Sequence, residues 1–270
     1  MAIHSTGAIS FQDLINEFNV PKPVSLSQMY AGGGYVPEAN TGVPKNGAIS
    51  LGNFYGATAA IVLDYNVTAD VFNLSTNAIM ANSGWDGITP VILTINVAPG
   101  IVVSGNNTAT PAMAINTFPA GSQVFINNNG YIIGMGGAGG GGGADGGAGG
   151  TALATSSPTT VNNIGTIGAG GGGGGGTFNI GGGGGRSGRQ PSGGGYGNGG
   201  SGDSGTFNSA GNGRSATSQW KGGNGGSWGA VGGNAIGLGA RTGGAGGAAV
   251  IGNSLINWTS NGDIYGNIID

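Results

Sequence analysis

The chain has 270 residues, of which 67 are glycine, a quarter of the total against a usual ~7%, while only 6% are charged. One histidine, no cysteine and a net charge of −3 leave little for acid–base, thiol or metal chemistry, and they exclude disulfide staples and a general nucleic-acid footprint. No stretch approaches the ~20 apolar residues of a membrane span, and Met1 to Gly7 lacks the basic and apolar regions of a Sec signal, so neither membrane insertion nor Sec export is expected.

Residues 1–57 repeat one short phrase three times, as Ile9-Ser10-Phe11, Val24-Ser25-Leu26 and Ile49-Ser50-Leu51, each followed by a further apolar residue. Each serine is a candidate helix N-cap, and Asp13 and Gln28 stand three residues on, where a capping-box partner belongs. Helices of one to three turns cannot stand alone in water. Gly32 to Gly34, Pro37 and Pro44 interrupt the segment, so it is expected to fold by docking on a partner or on copies of itself. The candidate attachment residues are Ile9, Phe11, Leu14, Leu26, Tyr30, Leu51, Phe54 and Tyr55.

From 58 to 133 the pattern turns to strands: Ile61 to Tyr65, Val91 to Val97, Ile101 to Val103 and Val124 to Ile126 are branched or alternating runs bounded by Pro, Gly and Asn. A short helix is expected near 77–81, within a small β module. A second repeat begins there, since Asn128-Asn129-Gly130-Tyr131-Ile132 aligns without gaps on Asn162-Asn163-Ile164-Gly165-Thr166, and each copy runs into a glycine tract. The two tracts are expected to lie side by side.

Residues 131–250 hold 50 of the glycines, in runs such as 136–143, 170–176, 181–185 and 222–226. Flexible linkers mix Gly with Ser and lack the aromatics and isoleucines that part these runs. The alternative is a set of polyproline-II-type rods, with ~3 residues per turn and ~3.1 Å per residue, whose outward N–H and C=O groups can bond several neighbours where no Cβ intervenes. Such rods have no side chains for recognition, which therefore falls to the loops between them. Those loops carry Phe178, Arg186, Arg189, Tyr196, Phe207, Arg214, Trp220, Lys221, Trp228 and Arg241, and Trp, Tyr and Arg are the types enriched at binding hot spots. The competing role for any one aromatic is to cover a face or an end of the bundle. In the closing segment, Asn261-Gly262 between apolar runs predicts a C-terminal β-hairpin over 248–270 that packs on the β module.

The expected fold is thus mainly β: an attachment segment of short helices (1–57), a small β module (58–133), a glycine-rich bundle (134–247) and the hairpin (248–270). The phrases Gly7-Ala8-Ile9-Ser10-Phe11 and Gly47-Ala48-Ile49-Ser50-Leu51, the stretch Phe125 to Gly134, the ending Gly252 to Trp258 and the glycine tracts together resemble bacteriophage tail-fibre and tail-tip proteins. The tracts are similar to those of T-even-type distal tail-fibre adhesins, although the first 57 residues depart from that group. The resemblance implies a polyglycine-II bundle presenting loops to a host surface glycan or outer-membrane protein. It also implies a place at the virion tail-fibre tip or baseplate periphery, with tail-fibre or baseplate proteins as partners; self-association as a homotrimer is a further partner state to test.

Chemistry is expected to be absent. Gly134-Met135-Gly136-Gly137-Ala138-Gly139 fits GxGxxG, but glycine continues where a phosphate-binding helix must start. His4 is the only imidazole, which removes Ser-His-Asp catalysis and histidine metal sites. Asp64, Asp70 and Asp86, or Asp145 with Asp203, are the carboxylates that a glycosidase would need, and surface or turn roles suit them better. No cofactor and no enzymatic activity are expected. The alternative to an adhesin is a non-adhesive structural tail or baseplate component in which the bundle is a stiff spacer.

Overall fold

A computed structural model describes residues 3–33, 35–36, 40–85, 87 and 90–270. The chain divides into two compact units, one of residues 1–64, 80–94 and 118–124, the other of residues 65–79, 95–117 and 125–270.

In the first unit all three serines of the repeated phrase cap a turn. Ser10 opens α1 (Phe11–Phe18), and Ser25 and Ser50 open 3₁₀ turns at Leu26–Gln28 and Leu51–Phe54. The Ser N–H donates to the side chain three residues on in every copy, at 2.7 Å to Asp13, 2.8 Å to Gln28 and 2.8 Å to Asn53. Equivalent positions are buried alike: Leu14, Met29 and Phe54, each four residues after its serine, are fully buried. Two tyrosine hydroxyls tie the copies together, Tyr30 donating to Gly47 O and Tyr55 to Gly7 O, both at 2.5 Å. The expectation that this segment lacks a core of its own is corrected here. Ile3, Phe18, Val20, Val36 and Val43 join the three anchors in one apolar cluster, and the Phe18 and Phe54 rings meet edge-on at 6.2 Å. The turns are too short to be stable singly, and they become so by sharing that interior.

The strands wind through three sheets in turn. The first circuit supplies β1 (Ile61–Val67), β2 (Val71–Phe72) and β3 (Leu74–Ser75), followed by α2 (Thr76–Asn82). The second supplies β4 (Val91–Val97), β5 (Val102–Ser104) and β6 (Met113–Ile115), and the third β7 (Gln123–Asn128), β8 (Tyr131–Ile133) and β9 (Leu153–Thr155). The fourth begins with β10 (Thr159–Asn163) and β11 (Thr166–Gly168). It then leaves on a long glycine-rich excursion holding the small antiparallel pair β12 (Ser215–Thr217) and β13 (Trp220–Lys221), and returns as β14 (Ala248–Ile251). The fifth is β15 (Ile256–Ser260), β16 (Asp263–Tyr265) and β17 (Asn267–Ile269). The sheet orders are β1-β4-β7-β10-β15, β2-β5-β8-β11-β16 and β3-β6-β9-β14-β17. Neighbours in the second and third sheets all pair parallel, as β10 does with β15. This is a parallel β-coil, mainly β as the sequence indicates. In β4, Val91, Leu93, Ile95 and Val97 are buried on alternate positions, as period-two patterning requires.

Two sequence expectations change. The predicted hairpin over 248–270 does not form: β15 and β16 belong to different sheets, and each adds parallel to an earlier strand, Ile264 opposite Ile167 and Trp258 opposite Val161. Gly262, at φ +44°, instead turns a corner of the coil. The ladder offered by β10 and β11 satisfies both strands, which a local turn signal cannot foresee. In addition, β9, β10 and β11 lie within the stretch that composition assigns to the glycine bundle.

The glycine tracts carry almost no strand, yet their backbone is saturated with hydrogen bonds. From Gly170 to Gly176 every residue both donates and accepts. Successive N–H groups rotate among three neighbours: Gly170 and Gly173 donate to Gly150 and Gly147, Gly171 and Gly174 to Arg186 and Gly183, Gly172 and Gly175 to Ala230 and Gly233. The carbonyls rotate among three more, accepting from Gly137 and Gly140, Gly226 and Gly223, and Gly247 and Gly244. Glycine is required by proximity rather than by φ: a Cβ on Gly172 would fall inside the carbonyl of Gly244, and one on Gly173 inside that of Ala138. The expected lateral contact of the 134–143 and 168–177 tracts is present, with Gly134, Gly137, Gly140 and Gly143 donating to Gly168, Gly171, Gly174 and Thr177. No helix among the described residues is long and apolar enough to cross a membrane.

Candidate functional site

The register of these bonds gives the excursion two ends. The central tract leaves the coil at Gly168, the last residue of β11, so partners of Ala169 and Gly170, such as Gly229 and Gly247, lie at the coil end. Partners of Gly176 and Thr177, such as Ala144, Ile180 and Arg241, lie at the far end. The ten predicted loop residues separate along this axis.

Arg186, Arg189, Phe207 and Trp228 gather at the coil side and pack. The Arg186 guanidinium lies 3.5 Å from the Trp228 ring centroid, and its Nε donates to Phe207 O at 2.9 Å. Phe207 meets Tyr131 edge-on at 5.2 Å and Trp228 at 5.4 Å, and Trp228 meets Tyr265 at 5.9 Å. Arg189 pairs with Asp70 at 2.6 Å, and the other oxygen of that carboxylate accepts the Val102 N–H at 2.8 Å. Trp228 Nε1 donates to Ser187 O at 3.2 Å. Burial lowers the Arg186 pKa from its ordinary value, with Tyr265 acting the other way; a guanidinium remains a cation at neutral pH. Each polar and aromatic group in this cluster thus has an intramolecular partner, which is the covering role weighed against recognition for such residues. The ladder joins the excursion to strands β8 and β16.

Phe178, Tyr196, Arg214, Trp220, Lys221 and Arg241 belong to the far-end loops. Phe178 is 59% exposed and Tyr196 74% exposed, and Leu238, which the sequence reading did not select, is 69% exposed. Phe178 lies over Gly143 and Gly239, so the loops at 142–144, 178–179 and 237–240 meet around one ring. Trp220 of β13 leans on Gly237, and Lys221 exchanges two backbone hydrogen bonds with Ile236, at 3.1 and 2.7 Å, which docks the β12–β13 pair on the next loop. Among the described residues Arg214, Lys221 and Arg241 form no ion pair. Ile236 and Leu238 escaped selection because aliphatic residues in a glycine-rich loop carry no pattern; only their exposure singles them out.

The attachment candidates are of two kinds. Leu14 and Phe54 are interior, whereas Ile9, Phe11, Leu26, Tyr30 and Leu51 are half-buried and Tyr55 is exposed. The carboxylates do not assemble. Asp70 is committed to Arg189, Asp145 Oδ1 accepts from the N–H and hydroxyl of Thr242 at 2.9 and 3.1 Å, and Asp203 accepts from Asn212 at 3.2 Å. Asp64 lies exposed on β1, and Asp86 falls outside the described residues. No group of acidic and histidine side chains among the described residues could hold a metal ion.

The described residues thus form a coil that holds a hydrogen-bonded glycine lattice, with exposed aromatic and cationic loops gathered at its far end. The sequence matches the phage tail fibre adhesin Gp38 family over residues 62–269, and the chain belongs to that family. It is a phage tail fibre adhesin, a virion protein of the tail fibre. Its fold is similar to that in the crystal structure of the gp37-gp38 adhesin tip complex of the bacteriophage S16 long tail fiber, with a TM-score of 0.69 and 24% identity over 98% of this chain and 99% of that one. The structural likeness therefore reaches into the first 57 residues, which the sequence comparison set apart. No curated protein sequence matches it.

Proposed function

We propose that the protein binds a bacterial surface receptor through the far-end loops, with Phe178, Tyr196, Arg214, Trp220, Lys221 and Arg241 as contact residues on a polyglycine-II bundle. The three-residue rotation of hydrogen bonds among six neighbours supports the polyglycine-II reading, since it is the period of a left-handed threefold rod. The observation that carries the function is the sorting of side chains. Those at the coil end satisfy one another, while those at the far end leave aromatic faces and guanidinium groups open. Aromatic faces stack on sugar rings or fill apolar clefts, and guanidinium forks meet carboxylates and phosphates. The receptor is a host surface glycan or outer-membrane protein.

The first unit attaches the adhesin to another tail-fibre protein, as the S16 protein is found in complex with gp37. Its three equivalent capped turns offer three equivalent contacts to that partner. The protein acts by binding, and host polysaccharide incubated with it should release no reducing ends.

The deciding experiment is the binding of fluorescently labelled protein to intact bacteria. Saturable binding that Trp220→Ala/Arg214→Ala weakens at least tenfold, with an unchanged circular dichroism spectrum, supports the tip assignment. Absence of wild-type binding to a strain that the phage infects favours a structural spacer.

A further inference from the structure

On the far-end half of the bundle a groove of about 230 Å³ runs between two tracts, lined by Lys221, Asn224 and Gly223 on one side and by Gly233, Asn234 and Ile236 on the other. The two asparagines are held in the same way. Asn224 Oδ1 accepts the Gly213 N–H and Asn234 Oδ1 accepts the Gly243 N–H, both at 3.0 Å. A backbone N–H can only donate, so the atom facing it must be the amide oxygen and the NH₂ group must point the other way. Among the described residues neither NH₂ group has a partner, and the Lys221 ammonium has none either.

Most backbone acceptors of the groove are already occupied, those of Asn234 and of Gly222, which also lines it, excepted. The carbonyls of Gly223, Asn224, Gly233 and Ile236 accept from Gly183, Gly233, Gly175 and Lys221 respectively. The groove therefore presents two amide donors and one cation over a floor of glycine that lets a ligand approach the backbone, with Ile236 as an apolar edge. Pockets for drug-sized ligands begin at about 300 Å³, so this groove suits a single monosaccharide with its substituent. A lining of two amide donors and a cation favours an oxyanion, which accepts from all three, over a neutral hydroxyl.

We propose that this groove is a subsite for an anionic sugar, one bearing a carboxylate or a phosphate, with Lys221, Asn224 and Asn234 as its ligands. The inference rests on the adhesin reading above and names the chemistry that one part of the tip recognises. The anion lies between the two amide groups with the ammonium beside it, and the sugar ring covers Ile236.

The test uses the full chain and three probes, glucuronate, glucose 6-phosphate and glucose, titrated by ligand-observed NMR. At least one charged sugar should bind tenfold or more tightly than glucose and weaken as salt is added. Binding of glucuronate alone identifies an acidic sugar as the source, of glucose 6-phosphate alone a phosphorylated one, and of both a general oxyanion site. Asn224→Asp/Asn234→Asp keeps the oxygen that caps Gly213 and Gly243 but replaces each donor by an acceptor. It should leave thermal unfolding unchanged and cut charged-sugar binding at least tenfold. Lys221→Gln should remove most of the salt dependence. Equal affinity for glucose and both charged sugars, or unaltered binding in the double variant, overturns the proposal. The sugar titration decides the groove and the cell-binding assay decides the adhesin. A protein that adheres to cells but prefers no charged sugar keeps the second reading and loses the first.

Discussion

Replacing Gly173 by alanine should be among the most damaging single-methyl additions in this chain. Gly173 donates to Gly147 O and accepts from Gly244 N, both at 2.8 Å, so it bonds two tracts at once. The added Cβ lands inside the carbonyl of Ala138, on a third tract whose oxygen is engaged by Gly147 N at 2.8 Å. Restoring van der Waals contact requires tracts to part by more than about 1 Å, enough to break hydrogen bonds whose useful range is about 2.7–3.2 Å. Overpacking costs ~1–3 kcal/mol, and each buried group left unpaired a further ~1–3 kcal/mol. Against this stands the ~0.4–1 kcal/mol gained from a less flexible unfolded chain. The balance is a loss of about 3 kcal/mol or more, or roughly 6–12 °C in Tm for a chain of this size. Gly193→Ala is the control, because a Cβ there meets nothing within 4 Å; it should be neutral or slightly stabilising. Calorimetry of both variants decides the matter. An unchanged or raised Tm for Gly173→Ala would refute the close-packed lattice as the reason for glycine.

Arg186→Ala should lower stability by about 1–2 kcal/mol through loss of its stacking on Trp228 and its bond to Phe207 O, while leaving cell binding intact because the cluster lies at the coil end. Arg186→Lys should recover less than half of that loss in thermal unfolding, since an ammonium cannot stack and bond at once; full recovery would show that charge alone matters. Hydrogen bonds from the Ser10 backbone and hydroxyl hold the Asp13 carboxyl below its ordinary range. A lowered carboxylate pKa contributes stability above the unfolded value of about 3.9 that is lost as pH falls through the folded value. Helix α1 should therefore loosen below about pH 4, visible at the Ser10 amide by NMR, and Asp13→Asn should abolish that dependence.

The sequence by itself determined what is local. Serine caps with their partners three residues on, alternating runs such as Val91 to Val97 and the need for glycine where rods touch are short-range rules, and each appears in the structure where the residues indicated. Even there Asn53 went unrecognised, because asparagine is a less familiar partner than aspartate or glutamine in a capping box, although its carboxamide oxygen accepts the same N–H. The loop residues stand out in the sequence as a set, because the glycine tracts between them carry no side chains, but the sequence does not separate those that pack from those left open. What only the tertiary structure decided is what depends on distant partners. Asn261-Gly262 predicts a hairpin until β10 and β11 offer parallel ladders to β15 and β16, and the N-terminal turns look coreless until three of them share Leu14, Met29 and Phe54. The division of the ten loop residues follows from the same cause. Whether a loop faces the coil or the open end depends on the direction in which its tract runs, and that direction is set by hydrogen bonds to tracts far away in sequence, for which glycine carries no address.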